Sequence, residues 1–208
     1  MEDVLDVYTQ PEDPQHPIVC FDETNKQLVD EVRQPLPTVP GQAERYDYEY
    51  KRNGVSNLFM FFAPLQGWRH VEVTDQRTKV DYAYCMRDLV DVYFPAAVLI
   101  RVVQDNLNTH VPSALYEAFE PAEAKRILAR LEFHYTPKHG SWLNMAEIEL
   151  SVLSQQCLDQ RIADKVALKQ EVAAWQTERN DKGKTVDWRF TTSDARLKLK
   201  RLYPSINH

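Results

Sequence analysis

Cysteine is scarce in this chain of 208 residues: Cys20, Cys85 and Cys157 stand far apart, odd in number and without any C-x-x-C pair. Such a set builds neither a disulfide framework nor a zinc site, so all three are predicted to be buried thiols. Glycine numbers only five, and no G-x-x-x-x-G-K-[ST], G-x-G-x-x-G or G-x-S-x-G string occurs. Nucleoside-triphosphate, dinucleotide and serine-hydrolase chemistry therefore lack their characteristic turns. Charged or polar residues interrupt every apolar stretch well before the roughly 20 residues a membrane helix needs. The opening Met1-Glu2-Asp3-Val4 is acidic where a secretory signal is basic. A cytoplasmic protein with no membrane partner is expected, and 43% hydrophobic with 27% charged residues is ordinary for one globular domain.

Positive charge is also short, with 25 Lys and Arg against 31 Asp and Glu, a net of -6. That balance normally argues against nucleic acid, whose phosphates are held by Lys and Arg. The deficit is uneven. Residues 1–149 carry 14 Lys and Arg against 24 Asp and Glu, a net of -10, whereas residues 150–208 carry 11 against 7, a net of +4.

After a proline-dotted lead, the apolar run Pro17 to Phe21 ending in Asp22-Glu23 predicts a short buried strand with Asp22 at its C-terminal edge. Breakers Pro35, Pro37, Pro40 and Gly41 predict a loop over 25–45. Alternating Tyr46, Tyr48 and Tyr50 before Asn53-Gly54 predict a strand and then a turn. Asn57 to Phe62 and Trp68 to Thr74, separated by Pro64 and Gly67, predict an antiparallel hairpin. Tyr82, Met86, Leu89, Val90 and Tyr93 then share one helical face, ending near Pro95. A strand over Val98 to Val103 leads to Asp105, a helical stretch over 113–130 breaks at Pro121, and a short strand covers Leu131 to Tyr135. A polar loop over 136–142 feeds a helix with Ala146, Leu150, Leu153 and Cys157 on one face; a long helix over about 164–180 and a basic segment follow. This order predicts an α/β fold, a mixed five-stranded sheet covered by helices on both faces.

Three acids stand where a metal site would use them. Asp22 and Asp105 end strands that, as parallel neighbours, would emerge at one sheet edge, and Glu147 opens the helix after the polar loop. Hard divalent cations want such oxygen ligands, and a cluster of like charges is reasonable only around a cation. Plainer roles also exist: Asp105-Asn106 is ordinary turn chemistry, and Asn144 with Glu147 is spaced as a capping box. Glu149, about 200° further round the helix, rivals Glu147. His110 can orient a metal-bound water, touch a phosphate, or simply face solvent. Lys138, His139 and Trp142 combine charge, a titratable ring and a stacking surface, as DNA-contacting loops do, although Trp142 can equally be pinned on the core.

Three strings, Val19-Cys20-Phe21-Asp22-Glu23, Val103-Gln104-Asp105-Asn106 with His110 following, and Thr136 to Glu147 (TPKHGSWLNMAE), resemble the signature blocks of DDE transposases. The resemblance is to the bacterial insertion-sequence branch of the mariner superfamily and extends to Arg45 to Tyr50, Gly67 to His70 and Asp187 to Thr192. It implies a ribonuclease-H-like, retroviral-integrase-like catalytic domain in which Asp22, Asp105 and Glu147 bind two Mg²⁺ or Mn²⁺ ions. The Leu143-Asn144 pair ahead of the last acid favours Glu147 over Glu149. It further implies cleavage of DNA at transposon ends and strand transfer to target DNA, at the nucleoid, by a homo-oligomer. Asn106, His110, Lys138, His139 and Trp142 are the candidate DNA contacts.

The chain is expected to divide into a core over 1–160 and a basic helical extension over 161–208 packed on it. Met1 stands about twenty residues before the first catalytic strand, so the helix-turn-helix that reads transposon ends is expected elsewhere, for instance on a separate chain. A catalytically silent DNA-binding or assembly remnant, and a metal-dependent nuclease of the same fold, are the rival readings.

Overall fold

A computed structural model describes residues 1–33, 39–42 and 48–203. Five strands, β1 (Ile18–Glu31), β2 (Tyr50–Ala63), β3 (Trp68–Thr74), β4 (Ile100–Gln104) and β5 (Leu131–Tyr135), form one sheet in the order β3-β2-β1-β4-β5. Strand β1 pairs antiparallel with β2 and parallel with β4, and β4 pairs parallel with β5. The mixed sheet is thus a β-meander on one side and parallel strands on the other, and Asp22 lies where the two meet.

Period-two alternation sends successive β1 residues to opposite faces. Ile18 and Cys20 join Leu58, Met60, Phe62 and Val103 in a core capped by α1 (Glu2–Tyr8), α5 (Met145–Leu153), α6 (Lys165–Asp181) and α7 (Thr192–Lys198). Val19 and Phe21 join Phe59, Phe61 and Val102 in a second core under α2 (Lys79–Asp88), α3 (Ala114–Ala118) and α4 (Pro121–Leu128). The rings of Phe21, Phe59, Phe61 and Tyr82 interlock. Each buried Phe contributes about 2–3 kcal/mol relative to exposure, which holds both layers on the sheet. Ile162, Leu168, Val172, Trp175 and Ala195 sit in the first core, so the segment after residue 160 shares its packing. All three cysteines are buried and free. Among the described residues no helix is long and apolar enough to cross a membrane.

Several expectations need correction. Strand β1 does not end at Asp22; it runs on to Glu31 against β2, so that only its parallel pairing with β4 stops, at Cys20. The Asn53-Gly54 pair makes no turn. The register shifts between Gln27 and Val29, leaving Leu28 opposite Asn53 and Gly54, and Gly54 takes φ +102°: a bulge inside one long strand. Tyr46 and Asp47 lie outside the described residues. Helix α1 lies in the lead, where proline and acid content hid it; Val4 and Leu5 are fully buried beneath it.

The rest follows local chemistry. Thr78 and Asp81 form the capping box that starts α2, Pro121 opens α4, and Asn144 and Asp164 cap α5 and α6. Gly67 closes the β2–β3 hairpin at φ +63°, and a Cβ there would stand 2.7 Å from the Gly183 carbonyl carbon. Only glycine lets the C-terminal segment approach that turn.

Candidate active site

Asp22 follows Cys20 on the α5-facing side of β1, with both carboxylate oxygens engaged. The Glu23 backbone N–H donates to Oδ1 at 2.8 Å and the Asn144 Nδ2 to Oδ2 at 3.2 Å. Asn144 also donates to the Phe21 carbonyl at 2.8 Å and accepts from the Ala146 N–H at 3.1 Å. One buried amide therefore ties the start of α5 to the strand that carries Asp22. Burial raises the Asp22 carboxyl, the Glu23 N–H opposes this, and the charges of Asp105, Glu147 and Glu23 add to the rise; the outcome is about 7.

Asp105 follows β4, the parallel neighbour of β1. Its Oδ1 accepts from the Leu107 N–H at 3.3 Å and stands 2.6 Å from His110 Nδ1. His110 Nε2 stands 2.5 Å from Glu23 Oε2. The imidazole is fully buried, stacked on Tyr82 and edge-on to Phe21. Burial works against its charge, but Asp105 and Glu23 outweigh it and push the group up to about 9. His110 is therefore no solvent-facing loop residue: fully buried, with Nδ1 bonded to Asp105 and Nε2 at ion-pair distance from Glu23, it offers no surface to a DNA strand, and the expected DNA contact is corrected to a buried bridge. Its partner Glu23 had no distinguishing signal beyond its position next to Asp22.

The structure separates the two rival glutamates. Glu147, in the first turn of α5, is exposed and lines an open cleft of about 890 Å³ with Asp22, Glu23, Thr24, Trp142 and Ile148. Glu149 is 3% exposed and lies between Arg69 Nε at 2.9 Å and Arg179 Nη2 at 2.8 Å. A carboxylate in that double ion pair is committed to the fold. Asp105 is not part of the cleft wall.

Of the other candidates, Asn106, Lys138 and His139 are exposed, and His139 sits at φ 64° in the loop before α5. Trp142 is 42% exposed at the cleft, with one side backed by Trp188 at 6.4 Å and Phe190 at 5.7 Å between ring centroids. It is thus both supported from behind and open in front.

The profile of the family described as "DDE superfamily endonuclease" matches residues 17–169, well over half of the chain and all three acids. The chain belongs to this DDE superfamily. No curated protein matches it in sequence. In structure it is similar to the Mos1 mariner transposase: a paired-end complex with Mn (TM-score 0.58, 18% identity) and a strand transfer complex (0.59, 16%) each align over 86% of this chain. A paired-end complex with the left transposon end aligns over 87% at 0.58 and 18% identity. The chain spans about half the length of these relatives, 54%, 52% and 55% respectively. The fold is therefore the ribonuclease-H-like fold of mariner-type DDE transposases, as the mixed sheet and its strand order lead one to expect.

The donor set of this DDE-superfamily chain suits a hard divalent cation. It offers carboxylate oxygens only, and the mutual repulsion felt at Asp22 is what a cation between the acids would relieve. The chelate is not closed, however: among the described residues no three His, Cys, Asp or Glu side chains converge as a metal-holding group. Two of the acids are held from behind, Asp22 by Asn144 and Asp105 by His110.

Proposed function

We propose that the chain is the catalytic domain of a transposase, cutting DNA strands at the ends of a mobile element and joining them to target DNA. What supports this reading is that the DDE family profile covers all three signature blocks, with Asp22 and Glu147 on the wall of one cleft and Asp105 just after the parallel neighbour of β1. Asp22, Asp105 and Glu147 would hold two Mg²⁺ or Mn²⁺ ions. Bound there, such ions would supply polarisation of the scissile phosphodiester and activation of the attacking oxygen. Asn144 keeps Asp22 turned toward α5, and the start of that helix presents Glu147 to the open cleft. A strand entering the cleft meets Trp142, with Lys138, His139 and Asn106 as the further exposed contacts.

The solved relatives are described as paired-end and strand transfer complexes, with Mn or Mg in two of them. By analogy this chain acts as a homo-oligomer on two DNA ends, at the nucleoid, within the bacterial insertion-sequence branch. Its end-reading helix-turn-helix lies in another segment or on a separate chain. The test is joining of pre-cut element ends to plasmid DNA in Mn²⁺. Joined product that is lost in Asp22→Asn supports the reading. Nicking without joining would indicate a nuclease of the same fold.

A second reading, a catalytically silent DNA-binding remnant, draws support from the open arrangement of the acids. A Mn²⁺-induced rise in melting temperature that vanishes in Asp22→Asn would count against it.

A further inference from the structure

Glu23 carries a buried carboxylate that the proposed chemistry leaves without a task. It is adjacent to Asp22, but strand alternation turns it to the opposite face of β1, toward α2 and the loop after β4. Its side chain is 4% exposed, and its Oε2 stands 2.5 Å from His110 Nε2. The other ring nitrogen stands 2.6 Å from Asp105 Oδ1. Gln104 fixes this loop further: its Nε2 donates to the His110 carbonyl at 3.2 Å, and its Oε1 accepts from Tyr82 Oη at 3.0 Å. The imidazole has no room to swing, since Tyr82 stacks on one side at 5.0 Å and Phe21 meets it edge-on at 5.2 Å.

Exposed Arg77 also approaches Glu23 Oε1, at 3.4 Å, but it is 56% exposed and adds little constraint. The result is a rigid chain from strand β1 through Glu23 and His110 to Asp105. It fixes the second acid relative to the very strand that carries the first.

We propose that Glu23 is a positioning residue: through His110 it orients the Asp105 carboxylate relative to the strand that carries Asp22, so that the two acids can share a divalent cation. The inference rests on the metal-dependent reading above. Outer partners of this kind orient a ligand before the cation arrives, and losing one typically costs 10–100-fold in metal affinity or activity. Both residues border the cleft, but only Asp22 opens its carboxylate to it; Glu23, its side chain 4% exposed, turns its carboxylate to His110 behind Asp105.

The test titrates the full chain, with a duplex oligonucleotide present, with Mn²⁺ and follows the free ion by electron paramagnetic resonance. Glu23→Ala removes the acceptor and is expected to weaken Mn²⁺ binding about tenfold. Glu23→Gln keeps an acceptor oxygen for His110 and is expected to restore binding to within about threefold of wild type. DNA affinity without metal, read by fluorescence anisotropy, should not change in either variant. A folded Glu23→Ala that binds Mn²⁺ as wild type does would overturn the proposal, as would a Gln variant no better than Ala. Should the Ala variant fail to fold, Glu23→Asp withdraws the acceptor by one methylene, and wild-type Mn²⁺ affinity in it would be equally fatal. Absence of Mn²⁺ binding in the wild type, or binding unaffected by Asp22→Asn, would instead overturn the metal-dependent reading itself and this inference with it.

Discussion

Two glutamates two residues apart on α5 carry opposite expectations. Glu149 neutralises Arg69, whose side chain is fully buried and lies over the Phe62 ring at 5.2 Å. Removing one partner of such a pair leaves a buried charge uncompensated, which costs about 3–5 kcal/mol. Glu149→Ala is accordingly expected to lose about that much stability in urea denaturation. Glu147→Gln, on an exposed side chain, should leave stability within about 0.5 kcal/mol while abolishing strand cleavage. Spacing alone had left the two open, because the arginines that decide between them come from β3 and α6, far away in the chain. The fate of His110 was illegible for the same reason, its partner Glu23 lying on another strand.

Asp22 makes a further expectation at this scale. Its carboxyl is held at about 7 in the folded, metal-free protein, above the 3.8 of an unperturbed Asp. The folded state therefore binds the proton more tightly than the unfolded one, and stability from this group is lost as pH rises from about 4 to about 7. Asn at this position removes that loss. In EDTA, Asp22→Asn should melt higher than wild type at pH 7.5, with the gap shrinking toward pH 4; a gap independent of pH would contradict the electrostatic origin of the shift.

At the scale of elements, α6 guards an edge of the sheet. Strand β3 is terminal, yet its Arg69 N–H donates to Asn180 Oδ1 at 2.9 Å, its Arg69 carbonyl accepts from Asn180 Nδ2 at 2.9 Å, and its Val71 N–H donates to Gln176 Oε1 at 2.8 Å. Side-chain amides stand in for a sixth strand and block edge-to-edge pairing. Asn180→Ala leaves two backbone groups unpaired and is expected to cost about 1–3 kcal/mol, checked by the shift in urea midpoint. Elements whose boundaries are set by local chemistry were legible: the break at Pro121, the strand over Leu131 to Tyr135, and the helix at 145 capped by Asn144. Elements defined by pairing were not. The extension of β1 beyond Asp22 depends on β2, and Asn53-Gly54 reads as a turn until its partner Leu28 shows it to be a bulge.

For the whole molecule, the uneven charge has a structural sequel. The C-terminal segment is basic in sequence, but Lys182 pairs with Glu178, Arg189 with Asp187, Arg196 with Glu2, and Lys198 with Asp194. These pairs are largely exposed, and three of the four acids already count in the segment's net of +4; only Arg196 pairs outside it, with Glu2, and so helps fasten α1 to α7. With a net charge of -6 over the whole chain, binding of DNA should be weak and should release few counterions. A plot of log affinity against log salt is expected to have a slope of only about -2 to -4. A steeper slope would locate a larger phosphate-binding face than the described residues suggest.

The proposed cutting chemistry rests on the three acids. The most direct measurement is Mn²⁺-dependent nicking of element-end DNA by the wild type, Asp22→Asn, Asp105→Asn and Glu147→Gln, with Glu149→Gln as the control. Cleavage lost in all three acid variants, yet present in folded Glu149→Gln, is the expected result. Cleavage that survives in either aspartate variant would contradict the assignment.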